Sequence, residues 1–233
     1  MNRPVVGIIQ ARSGSSRLPG KMLLDLHGMP VIQWVWHRVR KARLLDEVIV
    51  AIPEGAADDA LAKLLHTFGA NIYRGNESDV LDRFLKAAQS TGACTVVRIC
   101  ADNPLVSGEE IDNLVKYFAA NDLDYAYNHI PRNNSYPDGL GAEIAPIKVL
   151  ESFAQQALSN SQREHVFNYL WENQDLFRIG TFDPPEEKNR HPELKLDLDT
   201  EADYIYLRSL DVNWDMSARD IVAAAVQKVS QQA

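Results

Sequence analysis

The chain has 233 residues, 45% of them hydrophobic, and a formal net charge of −8 from 24 basic and 32 acidic side chains. That apolar share supplies a sizeable core and excludes global disorder; the acidic balance excludes non-specific nucleic-acid binding, which needs a basic footprint. Two cysteines, Cys94 and Cys100, lie at no metal-binding spacing, no apolar run approaches the roughly 20 residues that span a bilayer, and "MNRPVV" has no signal-peptide core, so reduced thiols and a cytoplasmic location are expected.

Strand and helix patterns then alternate. "VVGIIQA" (5–11) reads as a buried strand, and "VIQWVWHRVRKA" (31–42) carries apolar residues at helical spacing. "EVIVAI" (47–52) is a second strand. "AADDALAKLLHTFG" (56–69) is a helix stopped by Gly69. "NIYRG" (71–75) is a short strand, "DVLDRFLKAAQSTG" (79–92) a helix stopped by Gly92, and "TVVRICAD" (95–102) a further strand. A helix over 107–120 opens on a capping box from Ser107 to Glu110. This βαβαβαβα order predicts an α/β fold with a mainly parallel sheet and helices on both faces. Nearly all-apolar strands fit, because parallel strands are buried on both sides.

The pattern changes after Asn121. A polar, Pro- and Gly-rich excursion with short β candidates at its ends reads as a substrate-facing insertion at about 122–146. Helices follow at about 147–158 and 161–174, then strands "FRIGTF" (177–182) and "LKLDLD" (194–199), then helices at about 200–210 and 217–230. No repeat or low-complexity linker breaks the chain, so one domain over 1–233 is expected.

The first strand runs directly into "QARSGSSRLPGK", Gln10–Lys21, which carries Arg12, Arg17 and Lys21. In open α/β sheets ligands bind beyond the carboxyl ends of the strands. Small residues let backbone N–H groups point at an anion, and Arg and Lys add charge and donors, so a polyphosphate is the expected guest. The loop is not a P-loop: five residues separate Gly14 from Gly20 instead of four, and Met22 stands where a Ser or Thr would bind magnesium. Asp102 and Asp199 each end a predicted strand, and two such carboxylates can share one Mg²⁺. Asp197, two residues before Asp199, is a competing ligand. Turn or N-cap roles are the plainer alternatives: Asp102 before Pro104, and Thr200 capping the next helix with Asp203.

The same loop resembles the A-R-x-G-S-x-R-L-P-G-K signature of the sugar nucleotidylyltransferases, which include the CMP-Kdo and acylneuraminate cytidylyltransferases. "RGNESDVLDRF" (74–84), "RICADNPL" (98–105), "YPDGLGAEI" (136–144), "REHV" (163–166) and "LDLDTEADY" (196–204) are similar to further blocks of the spore coat polysaccharide biosynthesis (SpsF-type) cytidylyltransferase-like family. The six blocks run in family order from about residue 5 to 210. Ala101, Asn103, Phe167, Asn168 and Ala202 depart from the usual residues, which touches acceptor specificity more than phosphate binding.

The resemblance implies a Rossmann-like (GT-A type) nucleotidyltransferase domain, and a homodimer. It implies an Mg²⁺-dependent cytidylyltransferase that joins CMP from CTP, or another nucleoside triphosphate, to a sugar or sugar acid for surface polysaccharide synthesis, releasing pyrophosphate. Ala11, Arg12, Ser13, Gly14, Ser15, Arg17 and Lys21 would cradle the nucleotide. Arg12 and Lys21 would hold the leaving phosphates, with Asp102 and Asp199 on the metal. Arg17 is either a third cation or half of a rim salt bridge. Asp79 and Arg83 fall where the family recognises the nucleotide, although an acid at a helix start with a surface pair is an equal reading. Tyr136, Asp138 and Glu143, on the polar loop, are expected at the substrate. Arg163 could clamp an acidic acceptor, Glu164 is expected in a capping box with Ser161, and His165 is a proton carrier or simply a hydrogen-bonded helix residue. A GT-A glycosyltransferase is the alternative enzyme: "DLD" (197–199) has its D-x-D form but lies near the C-terminus. A non-catalytic nucleotide-binding protein would be expected to lose a metal aspartate, and both are present.

Overall fold

The computed structural model describes residues 1–156 and 159–232. β1 (Val5–Gln10) leads through the cationic loop to a small hairpin, β2 (Asp25–Leu26) and β3 (Met29–Pro30). Then come α1 (Val31–Val39), β4 (Glu47–Pro53), α2 (Asp59–Thr67), β5 (Asn71–Gly75), α3 (Val80–Ser90), β6 (Thr95–Cys100) and α4 (Gly108–Ala120). The remainder is β7 (Tyr125–Tyr127), β8 (Glu143–Pro146), α5 (Ile147–Gln156), α6 (Asn160–Glu164), α7 (Asn168–Glu172), β9 (Ile179–Gly180), α8 (Glu201–Ser209) and α9 (Ala218–Gln232).

The main sheet has seven strands in the order β5-β4-β1-β6-β8-β7-β9. β5, β4, β1 and β6 run parallel, and β8 runs antiparallel between β6 and β7. The chain winds outward from β1 through β4 to β5, then crosses back to place β6 on the other side of β1. That reversal makes the β1/β6 boundary a topological switch point, where the connections leave the sheet in opposite directions and open a crevice.

Alternate residues of each strand feed two cores. Val5 and Ile9 of β1, with Val97 and Ile99 of β6, join one cluster with α1, α2, α4 and α9. Val6 and Ile8, with Val96, join another with α3, α5 and α7. The helices therefore cover both faces, as the parallel pattern requires. Gly69 (φ 72°) and Gly92 (φ 65°) take the left-handed conformation at the predicted helix stops.

The second half differs in detail from the sequence expectations. The 161–174 helix breaks at His165–Phe167, because Val166 and Phe167 turn into the second core instead of continuing the α6 axis. The predicted 147–158 helix is seen to Gln156, and its last two residues lie outside the described residues. "FRIGTF" contributes only Ile179–Gly180 to the sheet. "LKLDLD" joins no ladder; it runs extended, with one bridge between Lys195 and Asp138. Within the 122–146 stretch, β7 and β8 are sheet strands, and the polar loop lies between them. Buried Asn128 holds that loop: its Nδ2 donates to Glu110 O (3.0 Å) and its Oδ1 accepts from Ala142 N (2.9 Å).

Candidate active site

The loop after β1 doubles back over the switch point. Ser13 N donates to Asp58 Oδ1 (2.6 Å), Leu18 N to Ser15 Oγ (3.2 Å), and Gly20 turns the chain at φ 68°. This brings Lys21 inward, with its side chain only 12% exposed. Lys21 Nζ lies 3.0 Å from Asp102 Oδ2, 3.3 Å from Asp199 Oδ1 and 2.9 Å from Leu198 O. Arg17 Nη2 reaches the same Asp199 oxygen at 2.9 Å.

The carboxylates are fixed from behind. Ala101 N donates to Gln10 O, continuing the β1/β6 ladder to the residue before Asp102, and Leu198 N donates to Asp102 O at 2.7 Å. Asp203 Oδ2 accepts from Asp199 N (3.0 Å) and Thr200 N (2.7 Å), so the capping box of α8 also anchors Asp199. Asp197 turns away: its Oδ1 lies 3.1 Å from Lys195 Nζ and its carboxylate does not line the crevice. Burial raises the Asp197 carboxyl, against the pull of Lys195.

A cleft of about 240 Å³ results, with Arg12, Arg17, Lys21, Asp102, Asp199 and His165 on its walls. Ala11, Gly14 and Ser15 line it too, whereas Ser13 spends its N–H on Asp58. Arg12 Nη2 sits 3.6 Å from Glu164 Oε1, and this pair borders a second cleft of about 750 Å³ that contains Asp79 and Arg163. Asp79 caps α3 through Oδ1, accepting from Asp82 N at 2.9 Å, and takes Arg163 Nη1 on Oδ2 at 2.9 Å. Arg83 is fully buried and donates to the carbonyls of Asn76 and Glu77, holding the turn before α3 from beneath. Burial, then the charge of Arg12, lowers its pKa. The surface-pair reading of this helix start belongs to Asp82 and Lys86, which meet at 2.9 Å.

Three residues expected at the substrate line neither cleft. Tyr136 is fully buried and donates to Glu110 Oε2 (2.7 Å), so it braces the polar loop outside the cleft. Asp138 lies beside the 194–197 segment, where burial and the charge of Asp197 push its carboxyl up to about 6. Glu143 is 2% exposed and pairs with Arg98. The expected Ser161–Glu164 box gives way to one between Ser159 and Gln162, which frees Glu164 for Arg12. His165 lines the cleft at the break after α6. Gln10, Arg98 and Cys100, which sequence reasoning passed over, form part of the floor. The signal was there: in "RICAD" the period of two sets Arg98, Cys100 and Asp102 on one side of the strand line. Burial pushes the Cys100 thiol up to about 12, so it is uncharged at neutral pH.

The donor set suits a hard cation. Asp102, Asp199 and the Leu198 carbonyl are all oxygen ligands, already converging on one positive charge, the Lys21 ammonium. Among the described residues no group of three or more His, Cys, Asp or Glu side chains could hold a metal by itself. Mg²⁺ matches that sparse set, since it characteristically takes one or two carboxylates and completes its shell with water and substrate phosphate. Among the described residues no helix is long and apolar enough to cross a membrane.

The chain is similar to known proteins in sequence and in fold. A family model described as cytidylyltransferase matches residues 6–221. The chain is 31% identical over 211 residues to the spore coat polysaccharide biosynthesis protein SpsF of Bacillus subtilis, covering 88% of this chain and 85% of that protein. It is 41% identical over 117 residues to 3-deoxy-manno-octulosonate cytidylyltransferase of Bdellovibrio bacteriovorus, covering 49% of this chain and 45% of that one. In structure it is similar to a cytidylyltransferase of Leptospira borgpetersenii, with a TM-score of 0.87, 27% identity, and coverage of 97% and 95% of the two chains.

Proposed function

The chain belongs to the cytidylyltransferase family, and on that premise we propose that it transfers CMP from CTP to a hydroxyl of an acidic sugar, releasing pyrophosphate. The observation that carries the reading is the meeting of Lys21 with both Asp102 and Asp199 on the wall of a cation-rimmed cleft. The half-length likeness to a 3-deoxy-manno-octulosonate enzyme supports an acid-sugar acceptor. The likeness to SpsF supports a role in supplying surface polysaccharide.

Asp102 and Asp199 would hold Mg²⁺, which when bound polarises the α-phosphoryl group and screens phosphate oxygens. Lys21 then trades its carboxylate partners for phosphate oxygens, and Arg12 and Arg17, exposed at the rim, close on the outer phosphates. The acceptor hydroxyl attacks the α-phosphorus while the bond to the β-phosphate breaks. Negative charge gathers on the leaving pyrophosphate, where these cations stabilise it; positioning and electrostatics supply most of the catalysis in such transfers. The glycosyltransferase reading loses its support because Asp197, the first acid of the D-x-D form, faces Lys195 instead of the cleft.

The test is pyrophosphate release with each of the four nucleoside triphosphates against sugar acids and sugar phosphates, with and without Mg²⁺. CTP with a sugar acid and Mg²⁺ is the expected combination. Failure to release pyrophosphate from any of the four triphosphates would overturn the proposal.

A further inference from the structure

A buried ion pair lies under the floor of the cleft. Arg98 of β6 stands directly opposite Glu143 of β8 in the antiparallel register. Arg98 Nη1 donates to Glu143 Oε2, and Arg98 Nε donates to Gln10 Oε1 at 2.9 Å. The other Glu143 oxygen accepts from Tyr125 OH at 2.5 Å. Side chains from β1 and β8 thus fix the guanidinium, and Tyr125 of β7 in turn fixes Glu143. Burial works to raise the Glu143 carboxyl, but Arg98, His129 and Tyr125 overcome it and hold it below the usual carboxylate range. It stays ionised and balances the charge of Arg98.

The pair needs an explanation. Two charges inside a sheet are commonly no better for stability than a well-packed apolar pair, since desolvation offsets their attraction. Arg98 is also not fully enclosed. Its side chain is 14% exposed and lines the cleft. Among the described residues Nη2 has no hydrogen-bond partner, and it is not among the atoms shut off from solvent. A rigidly held guanidinium therefore presents free N–H donors to the cleft, at its floor and behind the phosphate-directed cations of the loop. Glu143 balances its charge, and Arg98, held at both Nη1 and Nε, cannot swing to follow a triphosphate as the exposed Arg12 and Arg17 can.

We infer that Arg98 binds the acceptor, donating Nη2–H to an acceptor oxygen beside the attacking hydroxyl, and that Glu143 is a positioning residue acting through Arg98. This rests on the nucleotidyl-transfer reading above. A fixed donor of this kind selects polyhydroxylated or carboxylated acceptors over ones that offer no oxygen at that point.

The test compares Arg98→Lys, Glu143→Gln and the apolar double variant Arg98→Met/Glu143→Leu with the parent. The double variant guards against misfolding, because an apolar pair can replace the ion pair without unfolding the sheet. CTP binding with Mg²⁺ is measured by calorimetry. Binding of 3-deoxy-manno-octulosonate, N-acetylneuraminate and glucose 1-phosphate to the CTP-loaded proteins is measured by saturation-transfer NMR. Acceptor KM and kcat follow for whichever of these turns over.

In the double variant, CTP affinity is expected to change less than about threefold while acceptor affinity falls at least about tenfold, the worth of one charge-assisted hydrogen bond. Glu143→Gln should raise KM by a smaller factor with kcat nearly kept, because the amide oxygen still accepts from Arg98. A folded double variant that binds acceptor like the parent overturns the inference, as does a parent that binds CTP but none of the three probes. A parent that binds no CTP overturns the nucleotidyl-transfer reading instead.

Discussion

Lys21 and Asp102 stand 81 positions apart in the chain, and their charged ends meet at 3.0 Å. The contact joins the loop leaving β1 to the residues leaving β6, across the switch point of the sheet. The same ammonium lies 3.3 Å from Asp199, so one cation balances two carboxylates. On the proposed metal site Lys21 stands where the divalent ion would sit, so the two would share the acids or exchange places.

Lys21→Met is the sharpest probe of that competition. With the ammonium gone, CTP binding should weaken by roughly 1.5–3 kcal/mol, the worth of a charge-assisted hydrogen bond. Mg²⁺ alone should bind more tightly than to the parent, because Asp102 loses its counter-charge and Asp199 keeps only the exposed Arg17. Calorimetry with each ligand separately checks both signs. Weaker Mg²⁺ binding in the variant would mean that Lys21 organises the carboxylates and does not compete for them.

Asp102→Asn should lower turnover by at least about a hundredfold, as removal of a transition-state electrostatic group commonly does. The fold should survive, since the side chain is a third exposed and the bond from Leu198 N goes to the backbone carbonyl. Pyrophosphate release beside a thermal melt separates the two effects. Release at the parent rate by a folded variant would remove Asp102 from the mechanism.

The parallel half of the sheet could be read from the sequence because strands buried on both faces have little choice but to be apolar. Gly69 and Gly92 marked helix ends for an equally local reason, the left-handed backbone that each adopts. The break at His165–Phe167 was hidden, since Val166, Phe167 and Leu170 keep a helical apolar spacing, although Val166 and Phe167 pack into the second core from the break and only Leu170 from α7. The 194–199 segment alternates like a strand, yet it makes only one isolated bridge, in which Asp138 N donates to Leu194 O and Leu196 N to Asp138 O, and one further bond from Leu198 N to Asp102 O. Tyr136 and Glu143 were expected at the substrate because their loop is polar. Their partners Glu110, Tyr125 and Arg98 come from elements that only the fold brings near.

Gly139→Ala should be costly for a reason confined to that residue. Gly139 has φ 88°, and a Cβ there would lie 2.9 Å from Asp197 N and 3.0 Å from Leu196 C, both backbone atoms. Left-handed strain and displacement of the 196–197 backbone together should destabilise the fold by about 2–4 kcal/mol. Gly14→Ala is the control: nothing lies within 4 Å of its added Cβ, so stability should change by less than about 0.5 kcal/mol. Denaturant midpoints at unchanged slope measure both. Equal midpoints would show that the 196–197 segment yields freely.

Asp138 should make the protein less stable as pH rises through the mildly acidic range. Its folded carboxyl is pushed up to about 6, first by burial and then by Asp197, against Lys195; the unfolded value is about 3.9. Between those values the folded state holds the proton more tightly than the unfolded state, so stability falls with increasing pH. The loss begins near pH 4 and is complete a little above pH 6. At 1.36 kcal/mol per pKa unit the ceiling is near 3 kcal/mol, and partial exposure reduces it to roughly 1–2 kcal/mol. Asp138→Asn cannot ionise, so it should gain that amount over the parent at pH 7 and nothing at pH 4. Urea melts of both proteins at pH 4, 5, 6 and 7 measure the difference. A gap that stays constant across this range would mean that Asp138 titrates at its ordinary value, with Lys195 and solvent outweighing burial and the neighbouring acids.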